Sequence, residues 1–130
     1  MFHVLKIQTG EIVGEYQGKL TPDLFSRVVY DAGNEYGQCM VVVENNSVGF
    51  AVLEKLVERE YPNLYFSYKS SHEYLDPVSA EYVSNSIAGF TTSMKTRPLI
   101  VAKMEEFVRN KLVTIYSQRL LNEMETFVWQ

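Results

Sequence analysis

Cys39-Met40-Val41-Val42-Val43-Glu44-Asn45-Asn46-Ser47 is the stretch on which the fold turns. Its first five residues are apolar without a break, and three are successive valines. Branching at Cβ restricts such residues in a helix and suits them to a pleated, packed surface. The run therefore predicts a strand buried on both faces, in the middle of a sheet. It ends at the carboxylate of Glu44, and Ser47 is predicted to cap the helix that follows. Val48, Ala51, Val52, Leu53, Leu56 and Val57 recur at helical spacing, Pro62-Asn63 interrupts, and Leu64 to Tyr68 read as the next strand. Strand, helix, strand implies a right-handed crossover and parallel pairing.

Upstream, residues 3–8 and 11–16 alternate weakly around Thr9-Gly10, which predicts a hairpin with Gly10 at positive φ. Thr21-Pro22-Asp23 starts a helix: Thr21 caps, Pro22 has no N–H to waste, and Asp23 meets the positive end of the dipole. Leu24, Phe25, Val28, Val29 and Ala32 give it an apolar stripe, and Gly37 marks its end. Downstream, residues 69–95 are rich in Ser, Tyr, Asn and Thr. They read as a long functional or mobile loop, with a short helix near Val78 to Ile87. Thr96-Arg97-Pro98 repeats the start signal for a helix to about Lys111. Leu112 to Tyr116 reads as a strand, Ser117 caps a helix through Glu125, and Phe127-Val128-Trp129 begins another strand. Strands and helices alternate after the opening hairpin, so the class is α/β with a mixed sheet.

At 130 residues the chain fits a single domain, 1–130. With 46% hydrophobic and 22% charged residues it is composed to bury a core, which excludes a disordered linker. The longest apolar runs are far too short for a membrane span, and the start lacks the pattern of a signal peptide. Cys39 is the sole cysteine, so no intrachain disulfide or Cys-based zinc site can form, and an intracellular, cytoplasmic setting is expected. Sixteen acidic residues against 12 basic ones argue against nucleic-acid binding by bulk charge and leave room for a local basic patch.

Glu44 is the most informative candidate. A carboxylate closing a buried strand lies at the carboxyl edge of the sheet, where ligands of open α/β sheets bind beside the next helix N-terminus. A solvated strand end is the plain alternative. One carboxylate does not hold a pair of divalent ions, which sit about 3.5–4 Å apart and draw several oxygen ligands together. His3 and His72 lack ligand spacing, Cys39 reads as a small hydrophobe, and no phosphate-binding glycine loop is present. Gly89 to Pro98 concentrates hydroxyls with Lys95 and Arg97 before a helix start, a composition suited to phosphate contact or simply to a capped loop.

Two segments together point further. Val41-Val42-Val43-Glu44-Asn45-Asn46-Ser47-Val48-Gly49 resembles the strand-Glu-Asn-x-x-Gly motif in the nuclease domain of tailed-phage terminase large subunits. Gly89-Phe90-Thr91-Thr92 through Thr96-Arg97-Pro98-Leu99-Ile100 resembles that family's second motif, and Glu123 to Trp129 its third, in the same order. The resemblance implies a ribonuclease-H-like mixed sheet with flanking helices. It implies cleavage of concatemeric viral DNA during genome packaging, with Mg²⁺ or Mn²⁺ held by acidic residues. Glu44 takes the place of the catalytic, metal-binding residue that ends the central strand, and Lys69, Lys95 and Arg97 are the candidate DNA contacts. Double-stranded DNA, a packaging ATPase domain, and the portal or small terminase are the implied partners, in the host cytoplasm of a phage or prophage.

By the same resemblance the family's first and last catalytic Asp would lie outside the chain. The expectation is an incomplete, central part of the nuclease domain, inactive alone and prone to self-association through an unpaired sheet edge. The competing reading is a non-catalytic α/β interaction module with Tyr61, Tyr65, Tyr68, Tyr74 and Tyr82 as an adhesive surface. A small-molecule α/β enzyme is a third, but no nucleophile–base pair supports it.

Overall fold

A computed structural model describes residues 1–69, 71, 73–80 and 85–125. In chain order the elements are β1 (Phe2–Lys6), β2 (Glu11–Tyr16), α1 (Pro22–Glu35), α2 (Ser47–Glu58), β3 (Phe66–Tyr68), β4 (Tyr74–Leu75), α3 (Pro77–Ala80), β5 (Ser86–Ala88), α4 (Thr96–Arg109), β6 (Thr114–Ile115) and α5 (Gln118–Glu125). The protein is mixed α/β, with sheets ordered β1-β2-β6 and β4-β3-β5. It divides into two compact units, Leu20–Arg97 and Met1–Lys19 with Pro98–Gln130. No helix among the described residues is long and apolar enough to cross a membrane.

The Leu20–Arg97 unit is built on two helices. Thr21 caps α1 by accepting from the Leu24 N–H at 3.4 Å, with Pro22 and Asp23 in the first turn, as the sequence predicted. The stripe that α1 buries is displaced from the predicted one. Ser26, Val29 and Gly33 are covered, whereas Leu24 is 46% exposed. Gly33 is the reason. A Cβ there would stand 2.3 Å from the Tyr61 hydroxyl, so its missing side chain admits the Tyr61 ring. On α2, Val52, Leu53 and Leu56 go inside, joined by Tyr61, Leu64, Leu75 and Ala80. Each such aliphatic side chain contributes about 1.5–3 kcal/mol when fully buried.

Three expectations are corrected in this unit. First, residues 39–43 do not form a strand buried on both faces. The segment is extended and joins the structure through isolated parallel bridges, Val41 with Leu64 and Glu44 with Phe90. Val41 and Val43 are half-buried, while Met40 and Val42 are 43% and 55% exposed. An unbroken apolar run fits a strand backed on one side as well as on two, and only the covering layer decides. Second, α2 is capped by Asn46, whose Oδ1 accepts the Gly49 N–H at 2.8 Å, one residue before the predicted Ser47. Third, the 69–95 segment contributes strands rather than one long loop. β4 and β5 flank β3, both antiparallel to it; the short helix expected near Val78 is α3, while Ile87, at the far end of the expected range, lies in β5. The parallel pairing required by the strand-helix-strand reading is present at Val41 and Leu64.

In the other unit, β1 and β2 form the predicted hairpin, with a bulge at Val4/Leu5 and Gly10 at φ +71°. β6 lies parallel to β2, and Ser117 caps α5 by accepting from the Leu120 N–H at 3.1 Å. Glu15 gathers this end of the unit: Ser117 Oγ donates to it, Arg119 is 3.6 Å away, and His3 Nε2 is 3.6 Å away. The strand expected at Phe127 to Trp129, like His72 and Tyr82, lies outside the described residues.

Candidate functional site

The two sequence segments singled out by their motifs are interlocked in the Leu20–Arg97 unit. Phe90 donates its N–H to the Val43 carbonyl at 2.7 Å, and Asn45 donates its own N–H to the Phe90 carbonyl at 2.9 Å. The Asn45 side chain adds two bonds, Nδ2 donating to the Ala88 carbonyl at 3.2 Å and to Thr91 Oγ1 at 3.0 Å. One amide therefore ties the end of the 41–44 segment to the turn that leaves β5.

Both motif glycines are explained by close approach. A Cβ on Gly49 would fall 1.7 Å from the Glu44 carbonyl oxygen, so the first turn of α2 can fold back over Glu44 only without a side chain. Gly89 stands at φ +87°, and its Cβ would meet the Val43 carbonyl at 2.5 Å and Leu53 Cδ1 at 2.8 Å. From the other side, Ser67 is fully buried and donates its hydroxyl to the Gly89 carbonyl at 3.1 Å.

Beyond Thr91 the chain enters α4 through a reciprocal cap. Thr96 Oγ1 accepts the Ser93 N–H at 2.8 Å, and Ser93 Oγ accepts the Thr96 N–H at 3.1 Å. Thr96 Oγ1 also donates to the Thr91 carbonyl at 2.9 Å. The hydroxyls of Thr91, Ser93 and Thr96, read from sequence as possible phosphate contacts, are thus engaged within the chain. The sequence located the start of α4 but placed the cap at Thr96 rather than at the Ser93–Thr96 pair.

Glu44 closes the extended segment ahead of α2, but that segment is not the central, fully buried strand expected for it. It is exposed, and its side chain makes no hydrogen bond or ion pair among the described residues. The segment is an edge rather than the middle of a sheet, because Val41, Val43 and Asn45 all bond toward the 63–65 and 89–90 side. Among the described residues no group of three His, Cys, Asp or Glu side chains gathers anywhere. The residues shown therefore do not by themselves fit a pair of Mg²⁺ or Mn²⁺ ions.

Lys95 and Arg97 are exposed and lie on the segment that Asn45 and Thr96 fasten to the Glu44 turn. Lys69 lies elsewhere. Its N–H donates to the Asn85 carbonyl, past the Tyr68–Ser86 pair, while Gly89 bonds Tyr65 at the opposite end of β3. Roughly 13 Å of extended chain separates residue 69 from residue 65 at 3.3 Å per residue. There Lys69 borders a groove of about 750 Å³ with Phe50, Glu54 and Val57.

An aromatic group flanks the turn. Tyr65 is 6.3 Å from Phe90 and 5.1 Å from Tyr74, ring centre to ring centre, and burial pushes its hydroxyl pKa up, with Tyr74 adding to the shift. Tyr61 is buried and donates to the Cys39 carbonyl at 2.5 Å. Asn45 is the organising residue that sequence reasoning quoted without giving a role. Its signal was an amide directly after a strand-ending acid, which can bridge two backbone segments at once. Comparison with protein-family models, curated proteins and solved structures finds no match to this chain.

Proposed function

We propose that this chain is part of an endonuclease domain of the tailed-phage terminase large-subunit kind, with a ribonuclease-H-like arrangement around Glu44. The observation that carries the reading is the interlock of the Glu44-Asn45-Asn46-x-x-Gly49 turn with Gly89-Phe90-Thr91. Segments more than 40 residues apart in sequence, both carrying motifs of the resemblance, meet at one turn. In the reading, Glu44 is an exposed carboxylate at the mouth of α2, and Lys95 and Arg97 supply positive charge on the fastened segment for a DNA backbone. Mg²⁺ or Mn²⁺ would supply water activation and leaving-group stabilisation in a complete centre. Since the described residues do not gather such a centre, no hydrolytic step is assigned to them. The adhesive-tyrosine alternative draws less support, because Tyr61 is buried and Tyr65 and Tyr68 are half-buried.

Duplex DNA binding, followed by fluorescence anisotropy against salt, tests the proposal. Binding is expected to weaken as salt rises. Joint replacement Lys95→Ala and Arg97→Ala should reduce the slope of log affinity against log salt by about 2. Lys69→Ala should leave the slope closer to the parent value. Absence of binding at low salt, or a slope indifferent to Lys95 and Arg97, would overturn the reading.

A further inference from the structure

We infer that the extended segment Met40–Glu44 is a self-pairing edge, through which two copies of this chain join their sheets antiparallel. Backbone bonding carries the argument. Val41, Val43 and Asn45 turn their N–H and carbonyl groups to the 63–65 and 89–90 side. Alternation of an extended chain then turns the groups of Met40 and Val42 and the Glu44 N–H the other way, where among the described residues they make no backbone hydrogen bond, while the Glu44 carbonyl is covered by Gly49 of α2. Such a row templates another extended chain.

Apart from the Glu44 carboxylate at its end, the edge carries none of the usual protection. Cys39 to Val43 holds no lysine, no proline and no charge, and the side chains of Met40 and Val42 are exposed beside it. A second copy fits because the edge is complementary to itself in one register. Centred on Val42, antiparallel pairing sets Val42 against Val42 of the other copy and Met40 against its Glu44. With the Glu44 carbonyl covered by Gly49, the outward groups exchange four main-chain hydrogen bonds, two between the Val42 residues and one from each Glu44 N–H to the other copy's Met40 carbonyl, and the two Glu44 carboxylates avoid facing each other. Pairing centred on Glu44 would oppose like charges. Five residues of edge make a small contact, so the dimer belongs to the weak, concentration-dependent class.

Sedimentation of the full chain over rising concentration reads the association, and expects a monomer–dimer equilibrium in the micromolar range. Val42→Lys, at an exposed side chain, should weaken it by about tenfold or more, since two lysines would face each other across the pair. A second variant guards against a folding defect. In a Cys39→Ser background, Val42→Cys places two thiols on facing residues about 5.5 Å apart at Cα, within disulfide reach. Mild oxidation should yield a covalent dimer, whereas Val48→Cys, 64% exposed on α2, should not. Three results would each overturn the inference: a chain monomeric up to its solubility limit, a dimer indifferent to Val42→Lys, or equal crosslinking at residues 42 and 48.

Discussion

Asn45 acts as a double donor. Its amide nitrogen donates to the Ala88 carbonyl, which can only accept, and to the Thr91 hydroxyl, which can also donate. Asn45→Asp keeps the shape and removes the donors, setting a carboxylate against a carbonyl oxygen. The bond to the Ala88 carbonyl is lost and that part-buried acceptor is left unmet, a cost of about 1–3 kcal/mol, while the Thr91 hydroxyl can turn to donate to the new carboxylate. Urea denaturation should show that loss as a lower midpoint with an unchanged slope, and an unmoved midpoint would remove Asn45 from its organising place. Gly89→Ala tests the neighbouring constraint. A left-handed φ alone costs a non-glycine residue about 1–3 kcal/mol, and the Val43 carbonyl stands where the new methyl would go. The expected outcome is a loss at least as large as that of Asn45→Asp, read by the same denaturation curve.

At the scale of elements, what was legible in the sequence is what is decided within a few residues. Thr21-Pro22-Asp23 and Ser117 announced α1 and α5 because capping is a contact between residues three apart. Asn46 and Ser47 are both competent caps, so composition could not choose between them, and backbone geometry chose Asn46. The sides of the 39–43 segment were not legible, since coverage is set by partners 20 to 50 residues away. The meeting of the two motif segments and the bonds of Asn45 that fasten them were not legible either, since both join residues more than 40 positions apart. The β2–β6 tie is equally non-local and gives a pH prediction. Tyr116 donates to Glu11 at 2.7 Å. This bond holds the Glu11 pKa below its ordinary value, assisted by Thr9, and Glu11 in turn pushes the Tyr116 pKa up. The lowered carboxylate contributes above its ordinary range and fails as pH falls through its folded value. The raised phenol contributes below its ordinary range and fails as pH rises through its own. The stability gap between the parent and Tyr116→Phe should therefore be widest between about pH 5 and pH 10 and close on either side. Thermal melts across pH check this, and a gap that does not vary with pH would remove the tie as its cause.

Across the whole molecule the core is unevenly shared. Every buried apolar side chain among the described residues (Val29, Val52, Leu53, Leu56, Tyr61, Leu64, Leu75 and Ala80) belongs to Leu20–Arg97. In the other unit α4 and α5 bury nothing completely, and Leu99, Phe107, Leu112 and Tyr116 are exposed. Local stability follows covered apolar surface, so the two units should open at different free energies. Amide hydrogen exchange is expected to protect α2 and the second half of α1 most strongly, and α4 and α5 several-fold less. Leu56→Ala separates this from a uniform difference in exchange. Leu56 is fully buried, and its truncation costs about 2–5 kcal/mol through lost transfer energy and the cavity left behind. If the units open independently, that variant should speed exchange in α1 and α2 while leaving the rates of α4 and α5 nearly unchanged. Equal acceleration in all four helices would mean that one cooperative transition governs the chain, and that the uneven core does not set where it opens.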